Sequence, residues 1–142
     1  MATARKFEDL VAWQLCMELS DTVFSLTESG RCLKDQEFRK QIREAAENAP
    51  GLISEGFIRF TPAEFVRYLR MARGEIGEVQ SRLVHAGSQK YFSDDHWRQA
   101  TVLAERAMKV TTALLASKLP LLRKKNNTNG TARRKAGRQK PT

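Results

Sequence analysis

The stretch TPAEFVRYLRMARGEIGEVQSRLVHA, residues 61–86, decides the fold. Phe65, Leu69, Ala72, Ile76, Val79, Leu83 and Ala86 recur at alternating spacings of three and four, which brings all seven onto one face of a helix. Thr61 supplies a hydroxyl for the N-cap, Pro62 suits the first helical position, and Glu64 complements the positive helix start. Nothing in the stretch alternates with the period of two that a strand needs. The spacing predicts a helix from about Pro62 to Ala86.

The same period extends to both sides. A second helix is expected over about Gln36–Gly56, with Phe38, Ile42, Ala45, Ala49 and Leu52 on its stripe and Pro50 bending it near Ala46. A fourth is expected over about Asp94–Leu119, with Trp97, Thr101, Ala104, Met108, Thr111 and Leu115 facing inward, Ser93-Asp94-Asp95-His96 as its cap and Pro120 as its stop. The first runs from about Phe7 to Leu26 and ends at Ser29-Gly30. Short connections favour antiparallel neighbours. The expected fold is an all-α, antiparallel up-down-up-down four-helix bundle over residues 1–119. A disordered basic C-terminal tail over residues 120–142 follows.

Charge marks the boundary between the two. The chain has 142 residues and a formal net charge of +9. Residues 120–142 contain Arg123, Lys124, Lys125, Arg133, Arg134, Lys135, Arg138 and Lys140 and no acidic residue. Residues 1–119 hold 17 basic against 16 acidic residues, so the bundle is nearly neutral. Past Leu122 no large apolar residue remains to offset the entropy of ordering the chain.

Two helices have more than a single bundle needs. The first is apolar on two sides, with Leu10, Trp13, Met17 and Phe24 on one stripe and Ala12, Leu15, Leu19 and Leu26 on another. Either the other three helices cover it well, or one stripe meets a second copy. On the third helix Gly74, Gly77 and Ser81 lie opposite the core stripe. A helix-interior glycine costs about 1 kcal/mol against alanine. Close approach of another backbone would account for that cost, and neutral drift on an exposed face is the plain alternative.

At this point the chain resembles a known family, the four-helix-bundle proteins encoded in intervening sequences of bacterial 23S ribosomal RNA genes. The accessory variability determinant of diversity-generating retroelements is similar to that family. The resemblance rests on Phe7-Glu8-Asp9-Leu10 with Trp13-Gln14, on the run from Ala45 through Pro50 to Phe57, and on Glu64 through Gly74 with Glu78-Val79. It covers about residues 7–118. Leu52, Ser54 and Glu75 depart from the family's usual asparagine, alanine and serine, and the tail lies outside its pattern. The resemblance implies an antiparallel four-helix fold, a ring-shaped homopentamer and no catalytic activity. For the retroelement relatives it also implies binding to nucleic acid and to a reverse transcriptase.

Motifs for catalysis or cofactors are scarce. The sequence lacks a phosphate-binding glycine loop, a Cys-x-x-Cys pair and a His-Glu-x-x-His run. His85 and His96 flank the third turn near Asp94 and Asp95, a set that suits zinc or nickel but equally a polar turn with a helix cap. No metal and no cofactor is expected. Cys16 and Cys32 make no disulfide framework. No opening segment reads as a signal peptide, and no stretch reaches the roughly 20 apolar residues of a membrane span, so a cytoplasmic location and no membrane partner are expected.

Binding is therefore sought in charge. Arg59, Arg67, Arg70 and Arg73 offer either a phosphate-contacting surface or a solvated face paired with nearby glutamates. The tail is the stronger signal, since eight unopposed cations in one segment attract a polyanion. No aromatic residue interleaves those charges, so the tail is expected to hold backbone phosphate without reading sequence. The expected function is that of a non-enzymatic, oligomeric, RNA- or DNA-associated accessory protein, with a reverse transcriptase as a partner class. A scaffold oligomer that binds a protein and carries an incidental tail is the alternative.

Overall fold

The computed structural model describes residues 3–59 and 61–136, with side chains described as far as Leu122. A short 3-10 turn, Phe7–Asp9, leads into α1 (Val11–Leu26). A second 3-10 turn, Arg31–Lys34, precedes α2 (Gln36–Ile58), and α3 (Pro62–Gln89) and α4 (Asp94–Ala136) complete the chain. Among the described residues there is no strand. Helix α2 packs on α3, α3 on α4, and α1 on both α2 and α4, which closes a four-helix bundle.

The heptad reading holds best where it began. All seven stripe residues of α3 are buried, and Leu69, Ala72, Ile76, Val79 and Ala86 have no exposure at all. Thr61 Oγ1 accepts a hydrogen bond from the Glu64 amide at 3.2 Å, so the expected N-cap is present. The α4 cap is also present, with Ser93 Oγ accepting from the His96 amide at 3.2 Å. On α1 the buried set is Ala12, Leu15, Cys16, Leu19, Ser20 and Val23. On α4 the expected stripe is partly displaced. Ala100, Leu103 and Ala107 are buried with Ala104, Thr111 and Leu115, while Trp97, Thr101 and Met108 are half-buried. Pro50 lies inside α2 and is buried.

Two expected helix ends are corrected. Gly56 does not stop α2, which continues to Ile58. A Cβ at Gly56 would lie 2.5 Å from Tyr68 Cβ, so the glycine marks close contact between α2 and α3 rather than a terminus. Pro120 does not stop α4 either. It removes one backbone donor, but Leu115 is buried, and Leu119 and Leu122 pack against the core on either side of the proline. That apolar footing carries the helix through the missing bond, and the backbone stays helical to Ala136.

The far end of the bundle is tied by polar groups. Arg39 Nε donates to the Thr27 carbonyl and Arg43 Nε to Thr27 Oγ1, both at 2.8 Å. These cations close the C-terminus of α1, whose last carbonyls lack helical partners and carry partial negative charge. Nearby, the Tyr91 hydroxyl donates to Asp35 Oδ2 at 2.6 Å, and the Phe38 ring meets that of Tyr91 at a tilt of 59° with centroids 5.0 Å apart. The Trp97 indole N–H donates to the Leu83 carbonyl at 2.7 Å and lies directly over Gly87, where a Cβ would fall 2.8 Å from Nε1.

Candidate nucleic-acid interface

The arginines expected to form one phosphate-contacting surface divide into three situations. Arg59 lies at the C-terminal cap of α2. Its guanidinium pairs with Glu55 at 3.0 Å and Glu64 at 3.9 Å and sits 4.9 Å from the Tyr68 ring centre. The hydrogen bond from Arg59 holds the Glu55 carboxyl below its usual range, so Arg59 is already partnered. Arg73 is half-buried, and its Nε has no hydrogen-bond partner among the described residues. Arg67 and Arg70 are exposed, as Arg59 is, and lie three residues apart on the outer side of α3.

The groove beside them disfavours phosphate. Between α2 and α3, Glu47, Asn48, Gly51, Leu52, Glu55, Met71, Gly74 and Glu75 line an open furrow. Its floor is low because a Cβ at Gly51 or Gly74 would meet nothing within 4 Å. Burial and the neighbouring Glu78 push the Glu75 carboxyl above its ordinary value. Glu47, Glu55 and Glu75 give the furrow three acidic side chains, which do not favour a polyanion.

The small-residue face of α3 also divides. Gly74 and Ser81 are exposed, together with Met71 at 46% and Val84 at 69%. Gly77 is half-buried against α4, where an added Cβ would lie 3.9 Å from Met108 Cε. Leu10, at the N-cap of α1, and Trp13 and Met17 within it are half-buried. Trp13 meets Phe7 edge to face at 5.3 Å, and Phe24 lies 4.5 Å beneath the Arg43 guanidinium. Much of the stripe that the sequence leaves for a second copy is thus covered within the chain.

The remaining candidates are placed as follows. His85 Nε2 lies 3.7 Å from Asp35 Oδ2, while His96 lines a cleft with Asp21, Ser93 and Tyr91. Among the described residues no group of three histidine, cysteine or acidic side chains could hold a metal. Cys16 is buried, and burial pushes its thiol up to about 12, which leaves it unreactive. Among the described residues no helix is long and apolar enough to cross a membrane. Arg123, Lys124, Lys125, Arg133, Arg134 and Lys135 belong to the continuation of α4, although their side chains lie outside the described set. Arg138 and Lys140 lie outside the described residues.

At the foot of that continuation the structure gathers residues that the sequence did not single out as a binding site. Ala4, Arg5, Gly56, Phe57, Thr61, Pro62, Phe65, Lys118 and Leu121 line a pocket of about 310 Å³. Phe57 and Phe65 meet edge to face at 6.1 Å, and Lys118 Nζ lies 5.9 Å from the Phe65 ring centre. The only available signal was the aromatic run around Phe57, and its meaning depends on Lys118, sixty residues away in the chain.

Residues 8–113 match the sequence model of the family described as 23S rRNA-intervening sequence protein. No curated protein matches the chain. Among solved structures, a Bacteroides thetaiotaomicron protein of unknown function, assigned to the S23 ribosomal protein family, superposes with a TM-score of 0.67 at 17% identity. The alignment covers 74% of this chain and 98% of that one, and at such identity it speaks for the fold alone.

Proposed function

The chain belongs to the 23S rRNA-intervening sequence protein family, and from that premise we propose that it is a non-enzymatic accessory protein that holds RNA or DNA by the phosphate backbone. The observation that carries this reading is the separation of charge. Eight cations and no acidic residue occupy positions 123–140, while the first 119 residues are nearly neutral. The pairing of Arg59 and the acidity of the α2–α3 furrow move the expected contact away from the body and onto the basic segment. Arg67 and Arg70 add a secondary contact. An RNA-handling enzyme such as a reverse transcriptase fits as the protein that such an accessory would serve.

Copies associate, in this reading, through the outer face of α3. Met71 and Val84 are exposed there beside Gly74 and Ser81, an apolar strip with room for another backbone. A homopentamer is the assembly the family resemblance implies. A ring would present several basic segments at once and raise apparent affinity without new contacts. Light scattering after size-exclusion chromatography checks this, and a monomeric mass at micromolar concentration overturns it. Gly74→Glu should shift the mass downward with helicity unchanged.

The nucleic-acid reading is tested with a salt series on the full-length chain and on a chain ending at Leu122. Affinity for a single strand should fall with a log–log slope of about −0.7 per phosphate contacted. Removal of residues 123–142 should lower affinity on the order of a hundredfold at low salt and leave the thermal melt of the bundle in place. Undiminished binding by the shortened chain would transfer the site to Arg67 and Arg70. No binding by the full-length chain would leave the scaffold reading in its place.

A further inference from the structure

A segment of lysines and arginines holds phosphate but has no face on which to stack a base. The pocket at its foot has what the segment lacks. Its walls are Phe57, Phe65, Pro62 and Leu121, and its rim carries Arg5 and Lys118. Among the described residues no acidic side chain lines it. The furrow between α2 and α3 differs on both counts, with three glutamates and no aromatic ring. The pocket opens beside Leu121, two residues before the first of the basic residues, Arg123. A strand that follows the cations toward the bundle would therefore arrive at an aromatic, cation-rimmed opening.

We infer that this pocket takes an unpaired nucleobase, with Lys118 and Arg5 holding the phosphates that flank it. The inference rests on the nucleic-acid reading above and adds to it a preference for single strands. The chemistry is that of a flat, apolar, electron-rich ring attached to an anion. Base stacking on aromatic side chains is tolerant of sequence because every base has a π-face. A cation near an aromatic wall favours the same ligand twice, through the phosphate and through the ring. An apolar side chain from a second copy would fill the pocket without using either cation, so the charge favours the nucleotide. Paired bases are stacked inside a duplex and cannot enter, so the pocket discriminates single strands from duplexes without reading sequence.

The experiment compares a base-bearing single strand with an abasic strand of equal length and charge, by fluorescence anisotropy on the full-length chain. The base-bearing strand should bind on the order of tenfold tighter. Phe57→Leu, which keeps apolar bulk and removes the ring, should bring that ratio close to one and leave abasic binding unchanged. Lys118→Gln should weaken single-strand binding a few-fold and reduce the salt slope by about 0.7. Neither the duplex affinity nor the helical circular dichroism should respond to Phe57→Leu. Competition by millimolar adenosine or uridine monophosphate would show that free nucleotides also enter. A persistent ratio without such competition would restrict the ligand to strands. Equal affinity of the unaltered protein for the two strands overturns the inference while the backbone reading stands. Failure to bind either strand removes both. Chemical-shift changes at Phe57 and Leu121 that track protein concentration and ignore nucleotide would assign the pocket to a second copy and overturn the inference. If Phe57→Leu does not fold, the ratio in the unaltered protein and the Lys118→Gln slope still decide the matter.

Discussion

The two ends of the bundle are built from similar residues to different effect. At the end formed by the α1 C-terminus and the α3–α4 turn, aromatic and charged groups are satisfied by each other. Phe38 is 2% exposed beneath Tyr91 and Phe92, Asp35 accepts from Tyr91, and Arg39 and Arg43 are tied to Thr27. At the end formed by the α2–α3 turn and the run of α4 past Pro120, Phe57, Phe65, Arg5 and Lys118 surround an open pocket. Here Phe65 belongs to the core, while Phe57 and Lys118 are half-buried and Arg5 is exposed. The difference teaches that residue type does not distinguish a structural knot from a binding site. What distinguishes them is whether the partners lie within the chain.

The comparison breaks most easily at the closed end. Phe38→Ala should cost about 3–5 kcal/mol, because it removes a buried ring that touches three others, those of His85, Tyr91 and Phe92. Urea denaturation checks this, and the affinity of the folded fraction for nucleic acid should be unchanged. A parallel loss of affinity would mean that the two ends are coupled. At the open end Gly56→Ala should cost about 1–3 kcal/mol, since its Cβ would strike Tyr68 Cβ and force α2 and α3 apart. The same denaturation series measures it. A variant as stable as the unaltered chain would show that the two helices separate there without penalty.

A smaller effect sharpens the comparison through pH. The hydrogen bond from Tyr91, followed by that from the Phe38 amide, holds the Asp35 carboxyl below its ordinary value. A depressed carboxylate contributes stability that is present above its unfolded value and lost as pH falls through its folded value. Tyr91→Phe removes the larger of these causes and brings the folded value nearer the unfolded one, so the acid loss of stability should be smaller and complete at higher pH. The bond also raises the Tyr91 hydroxyl, whose contribution is lost as pH rises through its own folded value. Thermal melts from pH 2 to 7 compare the two chains, and superimposable acid limbs would show that Asp35 is held by other groups.

Amphipathic period alone placed the helices, because burial of one face imposes a spacing that survives in one dimension. The α3 stripe was legible residue by residue, and so were the Thr61 and Ser93 caps, whose chemistry is local. Helix ends were less legible at Gly56 and Pro120. Both residues break helices by default, and both are overruled by contacts with residues distant in the chain or one turn away. Gly74 and Gly77 stood out by spacing, but close approach within the chain occurs at Gly56 against Tyr68 and at Gly87 against Trp97. Which glycine a ring will cover depends on how two helices are set against each other.

The sequence by itself determined the fold class, the near-neutral body and the concentration of positive charge after Leu122, since period and charge count are properties of the chain as written. Only the tertiary structure decided which charges are free. Arg59 and Arg67 are both exposed arginines near the same turn, yet Arg59 is paired with Glu55 and Glu64, while Arg67 lies 6.0 Å from the Tyr68 ring centre. It also decided that Phe57, Phe65 and Lys118 share one opening. Such a site is made by three helices meeting at one end of a bundle, and the distances that define it exist only after the chain has folded.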